Sequence, residues 1–458
     1  MSGMLFSIAA FVLALGVLIT VHEFGHYWVA RRVGVRVLRF SIGFGRPLWS
    51  RRFGPDQTEF VVAAVPLGGY VKMLDEREGP VPSAELSRAF NRKPVGQRMA
   101  VVLAGPAFNF LFAILAYWAL FVYGVPGVKP VLDVPHATSL AAQSGIRSGD
   151  LLLSVDGKPT PTWDNAILVL LDGALDRKRM VLEVEGADGE QRRVYLDLTE
   201  AEGLLERGDL LAGLGLRPWR PPLPPVIEDV IDDGAAARAG MQSGDRILRA
   251  DGQSMSDWDA WVSYVQQRPD QVIRVEIERD GAILELSVRP DRAEAADAGG
   301  TDEVGRIGAY VRVPPELGAE LRTETRYGPL AALQHSGIKT WEMSALTLRT
   351  LWKMLIGQAS LDNISGPISI AQYAGQTASI GLSTFLNFLA IVSISLGVLN
   401  LLPVPILDGG HLMYYLIEFL KGSPVSERTE MLGQRIGIAL LFALMSLALF
   451  NDFTRLLG

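Results

Sequence analysis

The sequence predicts a polytopic α-helical membrane protein. It should have four transmembrane helices, a membrane-associated β-hairpin region after the first, and two mixed α/β domains between the second and third. Three observations carry this. Long stretches without formal charge recur, and 49% of the 458 residues are apolar, with a mean hydropathy of +0.22. Arginines crowd the segment that follows the first apolar run. A polar central region repeats itself at one fixed offset.

The first apolar run covers residues 4–30, and its one formal charge is Glu23. That exceeds the roughly 20 residues needed to cross a bilayer. No Lys or Arg precedes it and no small-x-small cleavage site is apparent before His22, so residues 1–34 read as a retained first span rather than a cleaved leader. Arg31, Arg32, Arg36, Arg39, Arg46, Arg51 and Arg52 follow. Positive charge collects on the cytoplasmic side, so the N-terminus is expected outside and this loop inside. Within residues 35–98, segments 37–42 and 60–65 read as short strands, with bends at Gly43-Phe44-Gly45 and at 66–70. Strands this apolar beside a span should fold back on the helical bundle, where irregular backbone needs protein or a water-filled cavity around it.

Residues 99–128 carry no charge and form the expected second span. Asn109 is a polar group in lipid that needs a structural hydrogen bond there. The chain then returns outside. Gly145-Ile146-Arg147-Ser148-Gly149-Asp150 matches Gly240-Met241-Gln242-Ser243-Gly244-Asp245, and the same offset pairs Asp156-Gly157 with Asp251-Gly252 and Trp163-Asp164 with Trp258-Asp259. One offset held over this length means two copies of one domain, at 129–218 and 223–313, with the prolines of 218–225 as a stiff linker. Residues 291–305 read as a flexible acidic excursion. Residues 322–360 interleave Leu330, Ile338, Trp341 and Trp352 with Lys339, Arg349 and Lys353, as amphipathic helices at the membrane surface do. A third transmembrane segment is expected over 380–420 and a fourth helix over 431–454, leaving the C-terminus outside.

The chemistry concentrates at two places. His22-Glu23-Phe24-Gly25-His26 puts two imidazoles four residues apart on one helical face, with Glu23 beside them. Asn400-Leu401-Leu402-Pro403-Val404-Pro405-Ile406-Leu407-Asp408 breaks the third segment with two prolines and ends on an acid. Ionisable groups at that depth are costly and mark function. Both segments run inward, so both sets should lie at similar depth. A catalytic zinc takes three protein ligands and leaves one position for water. His22 and His26 supply two, and Asp408 is the choice for the third, with His411 as the alternative. Glu23 is placed to move protons as general base and acid. Asn400 could donate to substrate backbone. The glycines at 43 and 45 offer a strand edge where an unwound segment could add. There are no cysteines, so thiolate zinc sites are excluded, and a net charge of −7 carries no signature of nucleic-acid binding.

The repeated Gly-x-x-Ser-Gly-Asp followed by Asp-Gly resembles PDZ domains of bacterial envelope proteases. Such domains bind peptides or gate access. The three core motifs together resemble the site-2 protease family of intramembrane zinc metalloproteases. That resemblance implies Zn2+ held by His22, His26 and Asp408, Glu23 as the catalytic residue, and substrate handling by Asn400, Pro403, Pro405, Gly43 and Gly45. It further implies single-span membrane protein substrates already cut by another protease, such as an anti-sigma factor or remnant signal peptides. The setting it implies is the inner membrane of a Gram-negative bacterium. The termini and PDZ-like domains would be periplasmic and the active site would lie toward the cytoplasm. A non-catalytic membrane scaffold is the rival reading, and Glu23, which a metal staple does not need, argues against it.

Overall fold

The computed structural model describes residues 2–134, 139–199, 210–294, 303–314, 316–358, 360 and 364–457. Among these, four helices are long and apolar enough to cross a membrane: Gly3–Arg32, Val95–Tyr123, Leu382–Leu401 and Glu427–Arg455. Backbone in lipid must satisfy its own hydrogen bonds, and helices do so within one segment.

Their limits differ from the sequence expectation for local reasons. The second span, expected to reach residue 128, ends at Tyr123 because Gly124 takes φ 109°. Val125–Val128 instead forms a strand paired with Arg322–Thr325, so the interfacial region begins as strand, not helix. One helix follows, Pro329–Leu355, and it buries Ala332, Ser336 and Thr340, spaced four apart. The third transmembrane segment is not continuous over 380–420. It is a helix, Leu382–Leu401, then a break, then a second helix, Asp408–Lys421. Pro403 and Pro405 lie in that break, where a missing N–H and a ring clash stop a helix. The fourth helix is longer than expected, Glu427–Leu457. The sequence reading missed an extra helix, Pro367–Ile380. Buried Asp452, near the end of the fourth span, accepts hydrogen bonds from the Gly366, Ile368 and Ser369 amides at 2.9, 2.8 and 3.2 Å and from Ser369 Oγ at 2.6 Å. It thereby satisfies donors that every helix N-terminus leaves open.

Small residues set the helix contacts. Ala10, Ala14 and Leu18 of the first span bury against Ala374, Phe385 and Leu389. Ala113, Ala116, Tyr117 and Leu120 of the second pack on Ala390, Ile394 and Val398 of the third. A Cβ on Gly25 would overlap the Ala104 carbonyl. The first two spans therefore touch backbone to backbone beside the histidines.

The hairpin strands are longer than expected, Val37–Phe53 and Thr58–Met73. The expected bends occur as irregularities inside them, with positive φ at Gly43, Gly45 and Gly68. Register is double: residues 39–42 stand opposite both 59–62 and 69–72, while 47–53 pairs with 58–63. The sheet seats on the first span through Tyr27, whose ring lies 5.7 Å from Phe40 and 5.6 Å from Phe60.

The two repeats share one architecture. Strands 151–155, 158–159, 179–185 and 191–197 form one four-stranded sheet, and 246–250, 253–254, 273–279 and 282–288 form the other in the same order. In each, the motif aspartate is buried and structural. Asp150 accepts from Arg147 N at 2.8 Å and pairs with Arg192, and Asp245 accepts from Gln242 N at 2.8 Å and pairs with Arg279. Asp156 and Asp251, at φ 49° and 48°, make the Asp-Gly hairpin turns. The expected excursion at 291–305 has paired ends, Asp291–Glu294 with Glu303–Arg306, and 295–302 lie outside the described residues.

The backbone contact predicts a contrast within one helix. Gly25→Val should destabilise the purified protein by about 1–3 kcal/mol, the cost of overpacking, read as a lowered melting temperature. Gly16→Val, with nothing within 4 Å of a Cβ, should leave melting unchanged.

Candidate metal centre

Three elements converge near the C-terminal end of the first span. His22 and His26 project from its helix, and Asp408 is the first residue of Asp408–Lys421. Gly409 and Gly410 let that helix start lie directly on the backbone of 401–405, where any Cβ would collide. Arg98 of the second span fixes the helix from its other side, 2.5 Å from Glu418.

The ligand atoms form a near-regular triangle. His22 Nε2 stands 3.2 Å from His26 Nε2 and 3.2 Å from Asp408 Oδ2, and His26 Nε2 is 3.4 Å from that same oxygen. For N and O ligands about 2.0–2.1 Å from a tetrahedral zinc, neighbouring donors stand about 3.3–3.4 Å apart. Asp408 Oδ2 is also buried without a hydrogen-bond partner of good geometry, as suits an oxygen that faces a cation. The donor set fits zinc. Among the described residues, His22, His26 and Asp408 are the group that could hold a metal ion.

The surroundings hold the imidazoles. His26 Nδ1 donates to the Val101 carbonyl at 2.8 Å, and the Asn109 amide lies 3.1 Å from His22 Nδ1. The expected hydrogen bond of Asn109 is therefore made to an imidazole of the triad itself. A cavity of about 550 Å3 opens onto the three ligands and is also lined by Glu23, Gly69, Tyr70 and His411. His411 shares this cavity but does not join the convergent group.

Other expected site residues fall elsewhere. Gly43 is packed against the sheet, whereas the nearest atom to a Cβ on Gly45 is Val65 Cγ2, at 3.8 Å. A Cβ on Gly43 would meet the Val65 and Ala63 carbonyls at 2.7 and 3.2 Å, so its bareness serves the folding of the sheet on itself. The segment beside the ligands is 69–73, which pairs with 37–42 on one side. Gly69 is pressed against the first span, where its Cβ would stand 2.8 Å from Ile19 and 3.0 Å from Glu23. Asn400 lies in the last turn of the third span and does not line the cavity. Pro405 packs on the fourth span, 3.3 Å from where a Gly433 Cβ would be. The sequence reading did not assign Val101, Gly105 or Gly69 to the site, although Gly105 belongs to a stretch of small residues that permits close helix approach. The Gly-Gly pair at 68–69 and the Gly-Pro pair at 105–106 were the available signals for the two glycines, whereas a backbone carbonyl leaves none.

The chain belongs to peptidase family M50, whose description matches residues 10–444, and it is a metallopeptidase of the site-2 protease type. It is similar over its full length to the "Regulator of sigma-E protease RseP" of Escherichia coli (strain K12), 47% identical over 456 residues covering 100% of each chain. The "Protease RseP" of Yersinia pestis is likewise 47% identical over 457 residues and 100% of each chain. A Vibrio cholerae relative whose description includes the words "zinc metalloprotease" is 41% identical over 461 residues and 100% of each chain. One solved structure, "HtrA-type protease AlgW with decapeptide", matches 29% of this chain and 42% of its own at 24% identity, and its TM-score of 0.14 carries no argument.

The convergence of Asp408 predicts the outcome of a ligand test. Purified Asp408→Ala should retain little zinc by elemental analysis, while His411→Ala keeps the wild-type content. Loss confined to His411→Ala would reverse the assignment.

Proposed function

We propose that the chain is a zinc-dependent endopeptidase that hydrolyses peptide bonds within transmembrane segments. The observation that carries this is the triad of His22, His26 and Asp408 at tetrahedral spacing, with Glu23 on the same cavity, near the C-terminal end of the first span. Bound there, zinc supplies a Lewis acid that brings the pKa of water to about 7. Glu23 takes the proton of the attacking water and returns it to the leaving amine. The cavity's polar lining includes Asp75, Arg77 and Glu430 beside the ligands, which gives the water that the reaction consumes a route to the peptide.

A helical substrate hides its carbonyls in its own hydrogen bonds, so it must unwind before it reacts. The strand segment 69–73 has its pairing partner on one side and the cavity on the other, which suits strand addition by an extended peptide. Gly43 and Gly45 contribute by shaping the sheet that presents this segment. Pro403 and Pro405 hold the break that delivers Asp408, and Asn400, in the last helical turn before that break and outside the cavity, meets substrate backbone on its way in.

The substrates are single-span membrane proteins already shortened by another protease. Relatives described as regulators of sigma E support an anti-sigma factor, and remnant signal peptides fit the same chemistry. The chain sits in the inner membrane with its termini and both repeats periplasmic, as the arginines after the first span favour. The repeats act as PDZ-like domains over the outer face. Arg349 of the interfacial helix pairs with both Asp172 and Asp176 of the first repeat. This contact favours a gate that excludes bulky outer domains over a freely mobile peptide binder.

The general base gives the decisive test. Glu23→Gln should keep its zinc and cut a model transmembrane substrate about 10²–10⁴-fold more slowly in reconstituted vesicles. Cleavage at the wild-type rate would sink this mechanism.

A further inference from the structure

The second span turns three residues, each four apart, toward the imidazoles. The Val101 carbonyl takes the proton of His26 Nδ1, and since a carbonyl only accepts, Nε2 of His26 is left bare for a metal. Gly105 has no room for a Cβ, which would run into both the His26 and His22 rings. Asn109 is fully buried and reaches His22 Nδ1. Its backbone oxygen accepts from Ser393 Oγ at 2.9 Å, so the third span fixes where it stands.

The two histidines are not held alike. The amide nitrogen of Asn109 faces His22 Nδ1, while its oxygen is buried without a hydrogen-bond partner. His22 can ligate zinc through Nε2 only with a lone pair there and a proton on Nδ1. A half-turn of the amide brings the orphaned oxygen to Nδ1, where it accepts that proton.

We infer that Asn109 is a positioning residue for His22, its side-chain oxygen accepting the Nδ1 proton and so leaving the Nε2 lone pair for zinc. The inference rests on the proposed reading of the triad as the metal site. Asparagine supplies this acceptor without burying another charge within the span, and its backbone is held by Ser393 of the third span.

The test measures zinc affinity rather than proteolysis. The full-length protein is stripped with chelator, and zinc is titrated in competition with a chromogenic chelator for wild type, Asn109→Leu and Asn109→Asp. Asn109→Leu, of similar size but without an acceptor, should weaken zinc by about 10–100-fold. Asn109→Asp, an acceptor alone, should restore binding to the wild-type range, an outcome that loss of packing would not produce. Cobalt(II) in place of zinc should give the same absorption bands in wild type and Asn109→Asp and altered bands in Asn109→Leu. Wild-type affinity in Asn109→Leu, or Asn109→Asp binding as weakly as Asn109→Leu, would overturn the inference. Wild-type protein that took up no zinc would instead overturn the metal reading beneath it.

Discussion

A polar group inside a bilayer must find its partner within the protein, and most of this architecture follows from that demand. Two imidazoles and a carboxylate stand together near the C-terminal end of the first span, within about 3.4 Å of one another. Unpaired, each would be costly at that depth. Converged, they need one cation to balance them, and their spacing suits one. The surrounding helices are fitted to this cluster. Gly25 and Gly105 remove side chains where the first and second spans must close on the rings. Gly409 and Gly410 do the same where the broken third segment brings Asp408 in.

The same demand explains the irregular backbone. The break before Asp408 exposes carbonyls that a continuous helix would satisfy, and it is covered on one side by the fourth span, where Gly433 and Gly437 come close to Pro405 and Ile406. The hairpin meets the demand in a different way. By folding through Gly43 and Gly45 it pairs its central segment, 39–42, on both sides. One of its outer segments, 69–73, comes to rest along the cavity. A sheet edge is a liability in most proteins. Here it lies beside a group of metal-ligating side chains, where an extended peptide would be of use.

Outside the membrane the logic is that of ordinary soluble domains. Each repeat buries its own core, with Trp163 in one and Trp258 and Trp261 in the other. Each ties its glycine-rich loop to the sheet with a buried Asp–Arg pair. The first repeat meets the helical bundle where Arg349 pairs with Asp172 and Asp176, close to a short strand pairing of 125–128 with 322–325.

Much of this was legible in the chain itself. Charge-free stretches located the spans, because a membrane imposes a composition that no tertiary context overrides. The spacing of His22, Glu23 and His26 is a property of one helix, so sequence alone carried it. The repeat at a single offset foretold two sheets of the same order. What the chain could not disclose were relations between segments distant in sequence. Whether Asp408 or His411 meets the histidines depends on where the helix starts after the proline break, a matter of angle rather than spacing. Gly43 read as an open edge because a strand's second partner is invisible until the sheet folds on itself. Asn109 read as a generic hydrogen-bonding group because its partner, His22, lies on another span, and only packing brings the two within 3.1 Å.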